Sequence, residues 1–194
     1  MRRVEFGVQP QIYALLAAML LLLPLKWLTA AVMSVLLHEG CHLAVLKLFH
    51  TQVSSVRVGW SGVQMETAPI KDYQELLCAL AGPGSCIIAF ALADWFPRFA
   101  ICAAFHAAYN MIPVYPLDGG RVMVCLLRMF LPYDTAWRIC RVVEHFCVAC
   151  FLFCGLYGAF ILRLGFLPIL ISFFLTWKTL YGKKSCKERR LGVQ

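Results

Sequence analysis

The sequence predicts an all-α polytopic membrane protein, on the basis of its composition and the lengths of its apolar runs. Of its 194 residues, 61% are hydrophobic and 14% are charged, and the mean hydropathy is +0.74. A typical water-soluble domain is only about 45–50% apolar. Many of the apolar runs also approach the roughly 20 residues with which a helix crosses a bilayer. We therefore expect an integral, multi-pass membrane protein.

Six apolar runs predict about six transmembrane helices. They cover residues 11–27, 28–49, 74–94, 98–131, 138–161 and 165–181. The fourth helix is broken by "NMIPVYPLDGGR", whose two prolines and glycine pair cannot continue a helix. Backbone groups freed at membrane depth must line a cavity or be covered by protein, so the break is a candidate functional segment. We expect a single domain over residues 1–182 and a basic cytosolic tail over 183–194.

The positive charge of the chain follows the predicted helices and does not indicate a nucleic-acid partner. The net charge is +8. With both termini in the cytosol, 14 of the 18 Lys and Arg residues fall on the inner side, three fall in outer loops and Arg121 lies near mid-membrane. This bias is the one that sets membrane topology. We therefore predict cytosolic termini and a lipid bilayer as the surroundings.

The segment "TQVSSVRVGWSGVQMETAP", after the second predicted helix, is typical of a short β-hairpin. Its apolar residues are spaced unlike those of a helix, and "GWSG" supplies turn residues. We predict strands near 52–58 and 63–67. The hairpin is either a simple connector or an edge to which an extended peptide adds as a further strand.

The second predicted helix contains three ionisable residues within the apolar run "VLLHEGCHLAVLKLF". His38 and His42 are four positions apart, so a helix places both on one face, where two imidazoles can bind one Zn²⁺. Glu39 is offset beside them, as the general base is in the H-E-x-x-H arrangement of zinc hydrolases. The alternative is that all three are buried polar residues satisfied by neighbouring helices.

The membrane environment favours metal binding over that alternative. A charged residue at the bilayer centre costs at least about 2.5–3.5 kcal/mol on insertion scales. Three ionisable groups between His38 and His42 therefore need a partner that offsets the cost, and a divalent cation is such a partner. We predict one zinc ion per chain.

A catalytic zinc has three protein ligands and one open position, so a third ligand is needed. Asp118 is the only carboxylate within the fourth predicted helix, and the broken segment gives its backbone freedom to aim the side chain. The predicted topology also places Asp118 at a depth similar to that of the two histidines. Glu144 is the competing carboxylate, but Arg141, three residues earlier, offers it an ion pair.

Together, "HEGCH" and "NMIPVYPLDGGR" resemble the two signatures of the site-2 protease family of intramembrane zinc metalloproteases. The "PLDGG" form, the six predicted helices and the hairpin are most similar to the stage IV sporulation factor FB branch. "LAGPGS", residues 80–85, resembles the A-G-P element of the family's third span. The resemblance extends from about residue 10 to about residue 180.

The resemblance implies roles for individual residues. The implied zinc ligands are His38, His42 and Asp118. Glu39 would activate water, and Asn110 would hold substrate or donate its amide to a developing oxyanion. The alternative for Asn110 is capping of the broken helix, and His106, one turn earlier, is either a hydrogen-bonded core histidine or a neighbour of the site. Members of this branch commonly carry a CBS domain, and here we expect neither that domain nor a PDZ domain.

These observations predict an intramembrane zinc metalloendopeptidase that cleaves a membrane-associated protein substrate near the cytosolic face. The hairpin at 52–67 would pair with the extended substrate. Family analogy implies a sigma-factor precursor in a spore-forming bacterium, and an inhibitory membrane partner. The alternative function is a non-proteolytic membrane metal-binding or transport protein. Transporters usually stack ligands along a path, whereas this sequence shows one tight cluster.

Overall fold

A computed structural model of the chain describes residues 5–8, 10, 13, 17, 19–21, 23–59, 62–115, 117–160, 173 and 176. The elements in chain order are β1 (Glu5–Val8), α1 (Leu25–Leu48), β2 (Val53–Gly59), β3 (Gly62–Thr67), α2 (Asp72–Gly84), α3 (Cys86–Ala91), α4 (Pro97–Asn110), α5 (Asp118–Phe130) and α6 (Tyr133–Phe160). The chain divides into two compact units, Met1–Met111 and Ile112–Gln194.

Among the described residues, three helical segments have the length and composition to cross a membrane. They are Leu25–Leu48, Asp72–Ala91 and Tyr133–Phe160. They correspond to the second, third and fifth predicted helices. The predicted break in the fourth is confirmed, because α4 ends at Asn110 and α5 begins at Asp118. The sixth predicted helix, 165–181, lies mostly outside the described residues, and so do seven of the seventeen residues of the first, 11–27, so the number of spans stays a prediction.

The start of α1 corrects the predicted boundary between the first and second helices. The helix begins at Leu25, whereas the sequence suggested residue 28. The reason is Pro24, which has a φ of −57° and a ψ of 140° and occupies the position just before the helix. Proline fixes φ and suits a helix start, so the residues after Pro24 continue directly into α1.

The end of α1 is closed by backbone hydrogen bonds. The N–H of His50 donates to the Lys47 carbonyl at 3.0 Å, and the N–H of Thr51 donates to the Leu46 carbonyl at 2.9 Å. His50 has a φ of +53°, the left-handed conformation that this type of helix end requires. The chain therefore leaves α1 with its last carbonyl groups satisfied and enters β2.

The predicted hairpin is present as the antiparallel pair β2 and β3, with bounds within one residue of the prediction. The sequence did not predict β1, which pairs in parallel with β2 from Glu5↔Ser55 to Val8↔Val58. A strand of four residues is too short to show a clear alternation of apolar and polar positions. Because β2 is central in the order β1-β2-β3, the outer edge of the hairpin is β3.

Helix α1 packs against α2 and α4 within the first unit. Buried residues recur at every fourth position along one face of α1: Ser34, His38, His42 and Leu46. The two neighbouring helices bury mainly small residues: Cys78, Ala79 and Gly82 on α2, and Ala100, Ala103 and Ala107 on α4. Small residues allow helix backbones in a membrane to approach closely. The histidine face of α1 is therefore in close contact with backbone as well as with side chains.

Large apolar side chains cover much of the outside of these helices. Phe105 is 75% exposed, Phe153 is 70% exposed and Leu36 is 60% exposed. Extensive apolar exposure is unusual on a water-soluble monomer. It is expected where the hydrocarbon core of a bilayer is the solvent.

In the second unit, Gly120 allows the segment before α5 to approach the first turn of that helix. A Cβ at position 120 would lie 2.6 Å from the Tyr115 nitrogen and 2.6 Å from the Val114 carbonyl carbon. Both atoms belong to the backbone, so a side-chain rotation cannot relieve the contact. Gly120 is therefore needed for close packing, whereas the break of the helix lies before Asp118, because both glycines of "PLDGGR" are within α5.

We expect Gly120→Ala to destabilise the protein by about 1–3 kcal/mol, the usual cost of overpacking. Thermal unfolding of the purified protein in detergent measures this as a lower midpoint. Gly40→Ala is the control, because a Cβ at this position of α1 meets no heavy atom within 4 Å. The control midpoint should stay the same or rise, since alanine is the better helix former. An undiminished midpoint for Gly120→Ala would contradict the close approach.

Candidate metal centre

His38 and His42 lie on the buried face of α1 and are 2% and 6% exposed. Their Nε2 atoms are 3.2 Å apart, and their rings are nearly perpendicular, with centroids 4.8 Å apart. Both rings therefore extend in one direction, as the four-residue spacing predicts. Two nitrogens at this separation can bind the same ion, since a zinc–imidazole bond is about 2.0–2.1 Å long.

The backbone of α2 sets the orientation of the His42 ring. Nδ1 of His42 lies 2.7 Å from the Cys78 carbonyl oxygen. A carbonyl oxygen only accepts, so Nδ1 carries the proton and donates it, and the lone pair is on Nε2 beside His38. Metal-binding histidines almost always have such a partner on their second nitrogen. The sequence does not predict this group, because a backbone carbonyl leaves no signal in the residue type.

A third imidazole, His106 on α4, packs edge-on against His38, with ring centroids 4.5 Å apart at 86°. The Asn110 side-chain amide nitrogen lies 3.1 Å from His106 Nε2 and 3.0 Å from the His106 carbonyl oxygen. The bond to the carbonyl caps the last turn of α4, as the structural alternative for Asn110 predicts. The contact with Nε2 joins Asn110 to a ring that touches His38.

Glu39 borders this histidine face without belonging to it. One residue along an α-helix turns the side chain by about 100°, so Glu39 is offset to one side of the direction shared by His38 and His42. Glu39 is half-buried, whereas both histidines are buried. This placement suits a base that acts beside a metal without binding it.

Asp118 is the first residue of α5 and is 7% exposed. A negative charge in the first turn of a helix is stabilised by the free N–H groups and the helix dipole. Arg121, one turn later, places Nη1 3.8 Å from Asp118 Oδ1. The charge of this buried carboxylate is therefore compensated by groups of α5 itself.

Among the described residues, one group of side chains can hold a metal ion, and it consists of His38, His42 and Asp118. All three are buried, and their ligand atoms lie within 4.8 Å of one another. Glu144, the competing carboxylate, is buried on α6 but is not part of that group. Two imidazoles and a carboxylate form a donor set typical of catalytic zinc, and the oriented His42 ring adds the usual supporting bond. These residues fit zinc.

The sequence is similar to one curated protein along most of its length. It is 28% identical to Stage IV sporulation protein FB from Bacillus subtilis (strain 168) in an alignment of 185 residues, gaps included, and the match covers 87% of this chain. The matched part is 61% of the relative, so the chain spans about three fifths of that protein's length. No model of a protein family matches the sequence.

The fold is similar to that of a solved structure, the Site-2 Protease from Methanocaldococcus jannaschii. The TM-score is 0.63 and the sequence identity is 22%, with 79% of this chain and 76% of the solved chain covered. At this identity the likeness establishes the fold. The two comparisons thus confirm the resemblance indicated by the two motifs: the chain has the site-2 protease fold and is related in sequence to Stage IV sporulation protein FB.

Proposed function

We propose that the protein is an intramembrane zinc metalloendopeptidase that hydrolyses a peptide bond of a membrane-associated protein substrate near the cytosolic face. The observation that carries this proposal is the buried group of His38, His42 and Asp118, with Glu39 beside the two histidines. The fold shared with a protein named as a protease, and the sequence relationship, support the same class of reaction.

In this proposal His38 and His42 bind zinc through Nε2, and Asp118 binds it through a carboxylate oxygen. The bond from His42 to the Cys78 carbonyl supports this assignment, because it directs the lone pair of Nε2. The helix start and Arg121 support it as well, because they hold Asp118 in the charged form that a ligand needs. When bound, zinc supplies Lewis-acid polarisation of the scissile carbonyl.

Glu39 serves as the general base and then as the general acid. Its carboxylate takes a proton from the attacking water and delivers it to the nitrogen that leaves as an amine. The half-buried position of Glu39, next to His38 in the chain, supports the role, since water must reach the same place.

Asn110 donates its amide to the oxyanion that develops on the scissile carbonyl. The amide has two N–H donors, and both acceptors described for it belong to His106. A substrate oxyanion would therefore replace one of these two acceptors. A charged acceptor forms the stronger bond, which favours the exchange.

The substrate is held as an added strand on the outer edge of the hairpin at 52–67. A helical substrate hides its amide bonds in its own hydrogen bonds, whereas an extended one exposes them. In the described part of the chain β2 lies between β1 and β3, so the edge offered to substrate is that of β3.

The setting of the reaction completes the proposal. Residues 1–182 form the protease domain, and both termini, including the basic tail at 183–194, lie in the cytosol. The distribution of Lys and Arg supports this orientation. The relationship to a sporulation protein supports a role in sporulation. By family analogy we add a sigma-factor precursor as the substrate and a membrane protein as the inhibitor.

Metal transport is the alternative function. A transport path needs successive ligand sets at different depths, whereas the described residues contain one group that can hold a metal. The Glu39 carboxylate beside that group also has a role in hydrolysis, whereas it has none in metal transport. We therefore prefer the peptidase.

Glu39→Gln should abolish cleavage and leave zinc bound. The amide keeps the size of the side chain but cannot accept the proton, and general acid–base catalysis contributes about 10²–10⁴-fold. Co-expression with a membrane-tethered candidate substrate measures cleavage, and metal analysis of the purified protein measures zinc. Glu75→Gln, the same change in the first turn of α2, is the control and should cleave normally. Undiminished cleavage by Glu39→Gln would remove Glu39 from the mechanism.

Asp118→Asn should lower zinc affinity by at least about tenfold, since even supporting residues contribute that much. Zinc bound per chain, measured after dialysis against a weak chelator, reports the loss. Asp134→Asn is a matched control, because Asp134 is an exposed carboxylate in the first turn of α6. The control loses a comparable helix-dipole interaction and should keep its zinc. Full zinc occupancy in Asp118→Asn would point to a different third ligand.

Asn110→Ala should reduce kcat by about 10²–10³-fold, the usual effect of removing one oxyanion donor. Zinc content should stay at the wild-type level. The measurement is the rate of cleavage at saturating substrate, with metal analysis on the same preparation. If zinc content fell in parallel with the rate, Asn110 would act through His106 and the structure of the site.

A further inference from the structure

Gly82 lies on the face of α2 that contacts the two histidines. Cys78 and Gly82 are four residues apart on that helix and therefore share a face. The Cys78 carbonyl holds Nδ1 of His42, and Gly82 is next to the opposite end of the ring. One turn of α2 thus meets both nitrogens of His42.

We propose that Gly82 is a determinant of the zinc site, because only a residue without a side chain leaves the two Nε2 atoms in the positions from which they can bind one ion. The inference rests on the proposed function, because it requires that His38 and His42 bind zinc. It assigns a role to a residue that is neither a ligand nor a base.

The distances around position 82 carry the proposal. A Cβ built there would lie 2.2 Å from His42 Nε2, 2.5 Å from His42 Cε1 and 2.7 Å from His38 Nε2. Non-bonded carbon and nitrogen atoms need well over 3 Å. A methyl group at position 82 would therefore collide with both Nε2 atoms and push them out of the arrangement in which zinc–imidazole bonds of about 2.0–2.1 Å can reach one ion.

The two rings cannot easily move away from such a methyl group. His42 is held by its hydrogen bond to the Cys78 carbonyl, and His38 is in contact with the rings of His42 and His106. Both histidines are buried. A rotation of either ring would also turn its Nε2 out of the shared direction, which is the change that zinc binding cannot tolerate.

The backbone of α2 is equally constrained. Ala79 is fully buried, and Gly82 and Pro83 are buried as well. Glycine inside a helix costs roughly 0.5–1 kcal/mol relative to alanine. Helix propensity alone therefore favours alanine at position 82, and the contact with the histidines reverses that preference.

Gly84 provides a matched comparison, since it lies in the same helix, two residues later. A Cβ at position 84 would meet no heavy atom within 4 Å. Gly82→Ala and Gly84→Ala therefore add the same methyl group to the same helix, and only the first reaches the histidines.

The test uses the full chain purified in detergent as wild type, Gly82→Ala, Gly84→Ala and His38→Ala. Metal-free protein is titrated with Zn²⁺ and, separately, with Co²⁺, whose visible absorption reports the coordination of the ion. We expect Gly84→Ala to match the wild type. Gly82→Ala should bind both ions at least about tenfold more weakly, and its Co²⁺ spectrum should change. Wild-type affinity and spectrum in Gly82→Ala would overturn the inference.

The remaining variants separate this inference from the proposed function. If His38→Ala binds zinc as tightly as the wild type, the proposed ligand set is wrong, whatever Gly82→Ala does. If Gly82→Ala fails to fold, the triple variant Gly82→Ala/His38→Ala/His42→Ala decides, because it removes both rings that the methyl group would meet. Recovery of the helical circular dichroism and of elution as a single species supports the contact, and continued misfolding contradicts it.

Discussion

Two imidazole nitrogens 3.2 Å apart on a buried helix face are the constraint on which the rest of the molecule depends. With its proton on Nδ1, His42 points a lone pair towards His38, and neighbouring lone pairs in apolar surroundings are unfavourable unless a proton or a cation lies between them. A divalent ion satisfies both rings at once. The neighbouring helices must then hold the rings without filling the space that the ion needs.

The helices next to α1 hold the two rings and leave space for the ion, because they present small residues and backbone to α1. Buried alanines on α4 and the buried Cys78, Ala79 and Gly82 on α2 allow close packing, and the backbone of α2 supplies the acceptor for His42 Nδ1. A carboxylate side chain in that place would add an ionisable group to a membrane segment and would be able to rotate. A helical carbonyl has neither drawback, because its position is fixed by the helix.

The sequence predicted side-chain chemistry well and backbone chemistry poorly. The shared face of His38 and His42 follows from periodicity, and the helix break before Asp118 follows from proline, and both signals are visible in the residue types. The bond to the Cys78 carbonyl and the contact of Gly82 with both rings depend on which helices pack together. A single sequence does not predict that packing. Strand β1 was missed for the same reason, since its pairing partner lies about 50 residues further along the chain.

The break between α4 and α5 prepares a charged ligand in a way that an unbroken helix cannot. In mid-helix, Asp118 would face a backbone whose N–H groups are already bonded, and burial would penalise its charge. At the first position of α5, free N–H groups and Arg121 compensate that charge before any ion arrives. The histidines need no such help, because neutral imidazole is the form that binds metal. Each ligand is therefore supported within its own unit, His42 by the backbone of α2, and Asp118 by the start of α5 and by Arg121.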